Sequence, residues 1–168
     1  MALRNIVAQG DIMLRRKARE VEHFDDRLWT LLDDMCETLR AQGGVGIAAP
    51  QVGIMKRIAI IDTDDGLIEL VNPVIFAKKG SQYQLEGCLS LPGMWGYVER
   101  PFKVKIRARN RYGKPINIEG DDMLAVALCH EVDHLDGVLF TDIAAEMVDP
   151  DQVEEHKENR KISRRKSG

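Results

Sequence analysis

Residues 129–137 read CHEVDHLDG, and they sit in a stretch whose other side chains are largely apolar. Met123, Leu124, Ala127, Leu128, Glu131 and Leu135 recur three or four apart, which predicts a helix over 121–136. Asp121 or Asp122 can cap its start, and Gly137 is placed to end it. On such a helix His130 and His134 stand one turn apart on one face, so both imidazoles can grip a single metal ion. Two histidines and a glutamate are costly in a core unless they are satisfied, so the rest of the chain must bring partners to this helix. A catalytic metal site needs three protein ligands and a position open to water. A third ligand is therefore expected from elsewhere in the chain.

The remaining elements are short. Residues 25–42 carry Leu28, Leu32, Met35, Cys36 and Leu39 on helical spacing, ended by Gly43 and Gly44, and Cys36 is expected as a small buried hydrophobe. RIAIID (57–62) and LIELVN (67–72) read as strands joined by the turn DDG. FKVKIRARN (102–110) alternates apolar and basic side chains like a half-buried strand, and RYGK turns it toward PINIE. A final helix is expected from about 149 to 165. Strands and helices segregated in this way predict an α+β fold: short antiparallel strands around a central metal-binding helix, with an N-terminal and a C-terminal helix. With 168 residues, the expected layout is one catalytic domain over 1–148, continued by a C-terminal helix and basic tail over 149–168.

A net charge of −3 does not mark the whole chain for nucleic acid or membrane, and no stretch approaches the ~18 apolar residues of a span. The opening residues interrupt their apolar run with Arg4, Asn5, Gln9 and Asp11, unlike a signal peptide, so a cytoplasmic location is expected. The three cysteines form no C-x-x-C and read as thiols, buried or metal-bound.

Two residues compete to be the third ligand. Glu154 lies twenty positions after His134, as in a thermolysin-like peptidase, but it sits in the charged stretch DPDQVEEHKENRK and reads more simply as an exposed acid. Cys88 lies in EGCLSLPG, where Gly87 removes crowding and Pro92-Gly93 marks a turn; its thiolate is a soft ligand suited to iron or zinc. A closed structural site would need a fourth ligand, and Cys129, His23 and His156 lack sensible spacing for it.

GVGIAAPQVG (44–53), EGCLS (86–90) and HEVDH (130–134) together resemble, in order and spacing, the motifs of the peptide deformylases, over nearly the whole chain. The resemblance implies that Cys88, His130 and His134 bind one divalent metal, Fe2+ in the cell and replaceable by Zn2+, Ni2+ or Co2+. It implies hydrolysis of the N-formyl group of formyl-methionyl nascent peptides, with release of formate. Glu131 would be the general acid and base, and the Gln51 amide and Leu89 N–H the oxyanion donors. Val45, flanked by Gly44 and Gly46, and Gly87 would hold the peptide as an added strand. Val45, Met123, Val126 and Ala127 would shape the methionine pocket, whereas Leu124 and Leu128 read as core. Glu86 and Asp133 fit equally the orientation of ligands or a structural salt bridge, and Cys129 reads as packing. Trp95 stands where many family members carry an arginine that helps bind the substrate chain. In the tail, Lys157, Arg160, Lys161, Arg164, Arg165 and Lys166 against Glu158 offer either a frayed end or a contact with the ribosome.

Overall fold

The structure, a computed structural model, describes residues 2–157. Helix α1 (Asp26–Gln42) starts where the Asp25 side chain accepts from the Leu28 N–H at 3.2 Å, and it ends at Gly43 in the left-handed conformation. Its apolar stripe of Leu28, Leu32, Met35 and Leu39 is buried, but Cys36 is only half-buried at the rim, because its position falls beside the stripe rather than under it. The second long helix, α2 (Asp122–Leu135), matches the helix expected over 121–136 and stops ahead of Gly137, whose φ of 73° no ordinary residue adopts easily.

Two antiparallel sheets organise the rest. The larger runs β1 (Gly46–Ala48), β2 (Ile58–Thr63), β3 (Gly66–Lys79), β6 (Lys103–Arg109), β7 (Pro115–Asp121) in that spatial order. The smaller is β4 (Gln82–Cys88), β5 (Leu91–Arg100), β8 (Glu146–Val148). Helix α2 packs on one face of the large sheet, where Ala125, Leu128 and Val132 meet Ile61, Leu70, Val104 and Ile106. Helix α1 packs on the opposite face, over Ile47, Ile58, Ile60 and Val71. Among the described residues it covers the β1–β2–β3 side, and Lys105, Arg107 and Arg109 of β6, Asn117 and Glu119 of β7, and Val74 and Phe76 of β3 are exposed on that outer face. Both β1 and β4 are edge strands of their sheets.

Not every strand is short. β3 is 14 residues long and continues past Pro73. It does so with a register shift between Val71 and Val74, where Asn72 takes a φ of 52° and a proline breaks no ladder bond. The Asn72 side chain accepts from the Val21 N–H at 2.8 Å and donates to the Val21 carbonyl at 3.0 Å, tying the N-terminal segment to that kink. The turn after Cys88 is also not at Pro92-Gly93. Cys88 pairs with Leu91, so the chain reverses at Leu89–Ser90. The next pair is Glu86 with Gly96, which leaves residues 92–95 bulged opposite Gly87 alone. That bulge lays the Trp95 indole against Gly87, where a Cβ would come within 2.7 Å of the ring.

A short helix, α3 (Phe140–Ile143), links α2 to β8. After a 3-10 turn at Pro150–Gln152 a helical turn opens at 153; the rest of the expected final helix, and the basic tail after Lys157, lie outside the described residues. Val153 is buried against Leu85 and Val148, and the Tyr97 hydroxyl lies 2.9 Å from His156 Nδ1. No helix among the described residues is long and apolar enough to cross a membrane.

Candidate active site

The helical spacing of His130 and His134 and the end of β4 bring three donors together. Sγ of Cys88 and the ring nitrogens of the two histidines all lie within 4.8 Å of one another, and Cys88 Sγ is 3.3 Å from His134 Nε2. One thiolate and two imidazoles converging in this way fit a divalent transition-metal ion and leave a tetrahedral position free of protein ligands. Glu154 is not part of this group: its side chain is 89% exposed and pairs with Lys157 at 3.6 Å.

The candidate ligands are held from behind. His130 Nδ1 lies 2.8 Å from Glu86 Oε1, which turns its Nε2 toward Cys88. Arg100, 4% exposed, donates to both oxygens of Glu86 at 2.9 Å and to Asp133 at 2.6 Å. Glu86 therefore both orients His130, a candidate ligand, and forms a buried ion pair, whereas Asp133 is seen pairing with Arg100. Arg100 is the residue that sequence patterns miss. It ends a strand 14 positions from Glu86 and 33 from Asp133, so no local motif announces it.

Burial and neighbours set the protons. At His130 burial opposes the charged ring, but the bonds to Cys88 and Glu86 prevail and push it up to about 10. His134 is driven down to about 3 by burial and by the charge on His130. Metal ligation needs neutral imidazole and thiolate, so a metal held by these groups would displace protons. Burial pushes the Glu131 carboxyl up to about 7. It is 4% exposed, and its Oε2 has no hydrogen-bond partner among the described residues. Strand β1 presses on it: a Cβ at Gly46 would lie 2.8 Å from Glu131 Oε1 and 2.9 Å from its Cγ.

Gln51 is buried, and its amide has a defined orientation. Its Oε1 accepts from the Ala48 N–H at 2.9 Å, which points Nε2 at Ser90 Oγ (3.2 Å) and Cys88 Sγ (3.5 Å). Ser90, the last residue of EGCLS, is thus a second contributor that spacing alone does not single out.

A cavity of about 440 Å³ joins these groups. Cys88, His130, Glu131 and Gln51 are in its wall, as are Gly44, Val45 and Gly46 from the β1 side and Gly87 and Leu89 from the β4 side. Met123, Val126 and Ala127 line it from α2, and Trp95 walls the β4 side with the Lys157 ammonium 4.6 Å from its ring centre. Every expected site residue except His134 lines this cavity. Leu128 is core, as expected, and Cys129 packs away from the site with its thiol pushed up to about 11 by burial.

A family model for polypeptide deformylases matches residues 3–149. The chain belongs to the polypeptide deformylase family. It is similar to the peptide deformylase of Acetivibrio thermocellus, 52% identical over 161 residues that cover 96% of this chain and 95% of that protein. It is also similar to that of Alkaliphilus metalliredigens, 56% identical over 142 residues, 84% of this chain and 97% of the relative. Among solved structures, the peptide deformylase of Thermotoga maritima superposes with a TM-score of 0.84 at 35% identity, covering 86% of this chain and 99% of that one. The peptide deformylase of Synechococcus elongatus in complex with actinonin gives 0.82 at 38% identity, covering 84% and 79%. As a polypeptide deformylase the chain is a metal-dependent enzyme that removes the N-formyl group from newly made polypeptides.

Proposed function

We propose that Cys88, His130 and His134 hold the catalytic metal and that Glu131, Gln51 and Leu89 carry out deformylation around it. The supporting observation is one cavity, between the open edges of β1 and β4, with Cys88, His130, Glu131 and Gln51 together in its wall. When bound there, a divalent ion supplies Lewis acidity and lowers the pKa of a water it holds from about 15.7 toward 7. Glu131, with one oxygen unpartnered among the described residues and a carboxyl that burial pushes up to about 7, takes the proton of the attacking water and returns it to the departing amine. The oxyanion that forms from the formyl group accepts from the Gln51 amide and the Leu89 N–H. Loss of one such donor typically costs about 3–4 kcal/mol of barrier.

The peptide lies as an added strand between Val45, with Gly44 and Gly46, on one side and Gly87 on the other. Its methionine side chain enters between Val45, Met123, Val126 and Ala127. We assign Fe2+ as the metal in the cell, a site that Zn2+, Ni2+ or Co2+ can also fill, because a thiolate with two imidazoles accepts all four. An iron site with a thiolate ligand is open to oxidation, so iron-loaded protein should lose activity in air faster than nickel- or zinc-loaded protein. The proposed setting is the cytoplasm, on nascent chains, with the basic residues of 157–168 as a contact to the ribosome and residues 1–148 as the catalytic domain.

The deciding experiment is formate release from formyl-methionyl-alanine against acetyl-methionyl-alanine, using protein loaded with nickel. Formate from the first and no hydrolysis of the second is the expected result. Cleavage of internal amides without formate release would put the chemistry elsewhere.

A further inference from the structure

Among the described residues, the outer face of the large sheet is only half covered. Helix α1 seals it over Ile58, Ile60 and Val71, and the covered region ends near Trp29, whose indole N–H donates to the Arg111 carbonyl and whose ring meets Tyr112 edge-on. Beyond that line the strands carry a different surface. Along β6, Lys103, Lys105, Arg107 and Arg109 all project to the outer side, since the alternating Val104, Ile106 and Ala108 are buried under α2. Register places Lys79 of β3 opposite Lys103, and Val74 opposite Arg107. On the other side β7 sets Glu119 opposite Lys105, Asn117 opposite Arg107 and Asp121 opposite Lys103.

This face therefore carries five cations against Glu119 and Asp121 on a chain whose net charge is −3. Lys103 is paired with Glu119 at 2.5 Å, which leaves the excess toward Lys105, Arg107 and Arg109. Apolar side chains are interleaved with it. Val74 is 58% and Phe76 41% exposed, and the Arg107 guanidinium lies 4.3 Å from the centre of the Phe76 ring. An exposed aromatic ring beside a guanidinium plane offers stacking surfaces that any base can use. Side chains at alternate strand positions stand about 6.8 Å apart, so the β6 row reaches roughly 20 Å, a backbone-tracking stripe rather than a point site.

We propose that this bare half of the sheet is a docking surface for RNA. The row of cations meets phosphates, and Phe76 with Arg107 receives an unpaired base. The surface lies across the sheet from α2, so RNA seated on it leaves the cavity between β1 and β4 open. That geometry suits an enzyme whose substrates emerge from a ribosome, a particle with a surface rich in RNA phosphate. The proposal does not depend on the roles assigned to the catalytic residues.

The test uses full-length, metal-loaded protein and a fluorescein-labelled 20-nucleotide RNA of mixed sequence, read by anisotropy at 50 and 200 mM salt. Binding should weaken steeply with salt, with a log–log slope of about −0.7 for each cation that neutralises a phosphate. Lys105→Glu/Arg107→Glu/Arg109→Glu should bind at least tenfold more weakly and with a shallower slope, and Phe76→Ala about threefold more weakly. The milder Arg107→Gln/Arg109→Gln should fall between the triple variant and the parent. Formyl-dipeptide turnover should be unchanged in all of them, which also shows that they fold. Equal RNA binding by parent and triple variant would overturn the proposal. So would binding that is lost only when residues 158–168 are removed, or parent protein that binds phosphatidylglycerol vesicles but not RNA.

Discussion

Glu86 Oε1 lies 2.8 Å from His130 Nδ1, and the same carboxylate takes both arms of Arg100 at 2.9 Å. One buried acid thus aims a proposed metal ligand while a buried cation fixes the acid. Glu86→Gln keeps the shape but loses the charge that draws the imidazole N–H and balances Arg100. Metal affinity should fall about 10–100-fold, as is typical for such supporting groups. Competition against a chelator measures it, and an unchanged affinity would mean that His130 needs no help.

Glu131 is buried beside the proposed ligand His130 and is assigned to proton transfer. Glu131→Gln should keep its metal, measured by atomic absorption, while formate release drops by about 10²–10⁴. A variant that loses metal and activity together would make Glu131 a ligand or a structural support instead.

Gly46 leaves no room for a side chain. In Gly46→Ala the new Cβ would sit 2.8 Å from Glu131 Oε1 and 2.9 Å from Cγ, inside a buried corner. Overpacking of this kind costs about 1–3 kcal/mol and should displace the carboxylate. Turnover should fall at least tenfold with metal content intact. Gly44→Ala should be milder, because its added Cβ meets only the flexible ends of Leu39 and Leu89, at 3.1 and 3.0 Å. Equal losses at the two positions would show that Glu131 placement is not what Gly46 protects.

The three thiols should respond differently to a thiol reagent at pH 8. Cys129 is buried with its thiol pushed up to about 11, and burial also raises Cys36, so both should react slowly in the folded protein. Cys88 should be shielded while metal is bound and become the fastest of the three after chelation. Mass mapping of the label decides it. Labelling of Cys88 at the same rate with and without metal would remove it from the ligand set.

Helix α2 could be read because its apolar period and its two histidines recur on helical spacing, and α1 and β6 because their patterns are equally regular. The motifs around Gln51 and Cys88 were also readable, since each places its chemistry within a few residues. What escaped is what depends on distant pairing. Pro73 disguised the second half of β3, because a proline denies a strand unless a bulge receives it. The bulge over 92–95 that lays Trp95 on Gly87 follows from the register of β4 against β5, which neither strand encodes alone. Three residues of β1 are too few to show a period, and Arg100 earns its place only through partners on another strand and on α2.

The placement of β1 and β4 as open edges facing one cavity bears on breadth of use. Edge strands offer amide and carbonyl groups, and every amino acid carries the same ones. In the proposed binding mode a guest held mainly by those groups is recognised by having a backbone, with side-chain scrutiny confined to the residue that enters the pocket beside α2. A single catalyst of this design can serve thousands of different gene products without having been fitted to any of them.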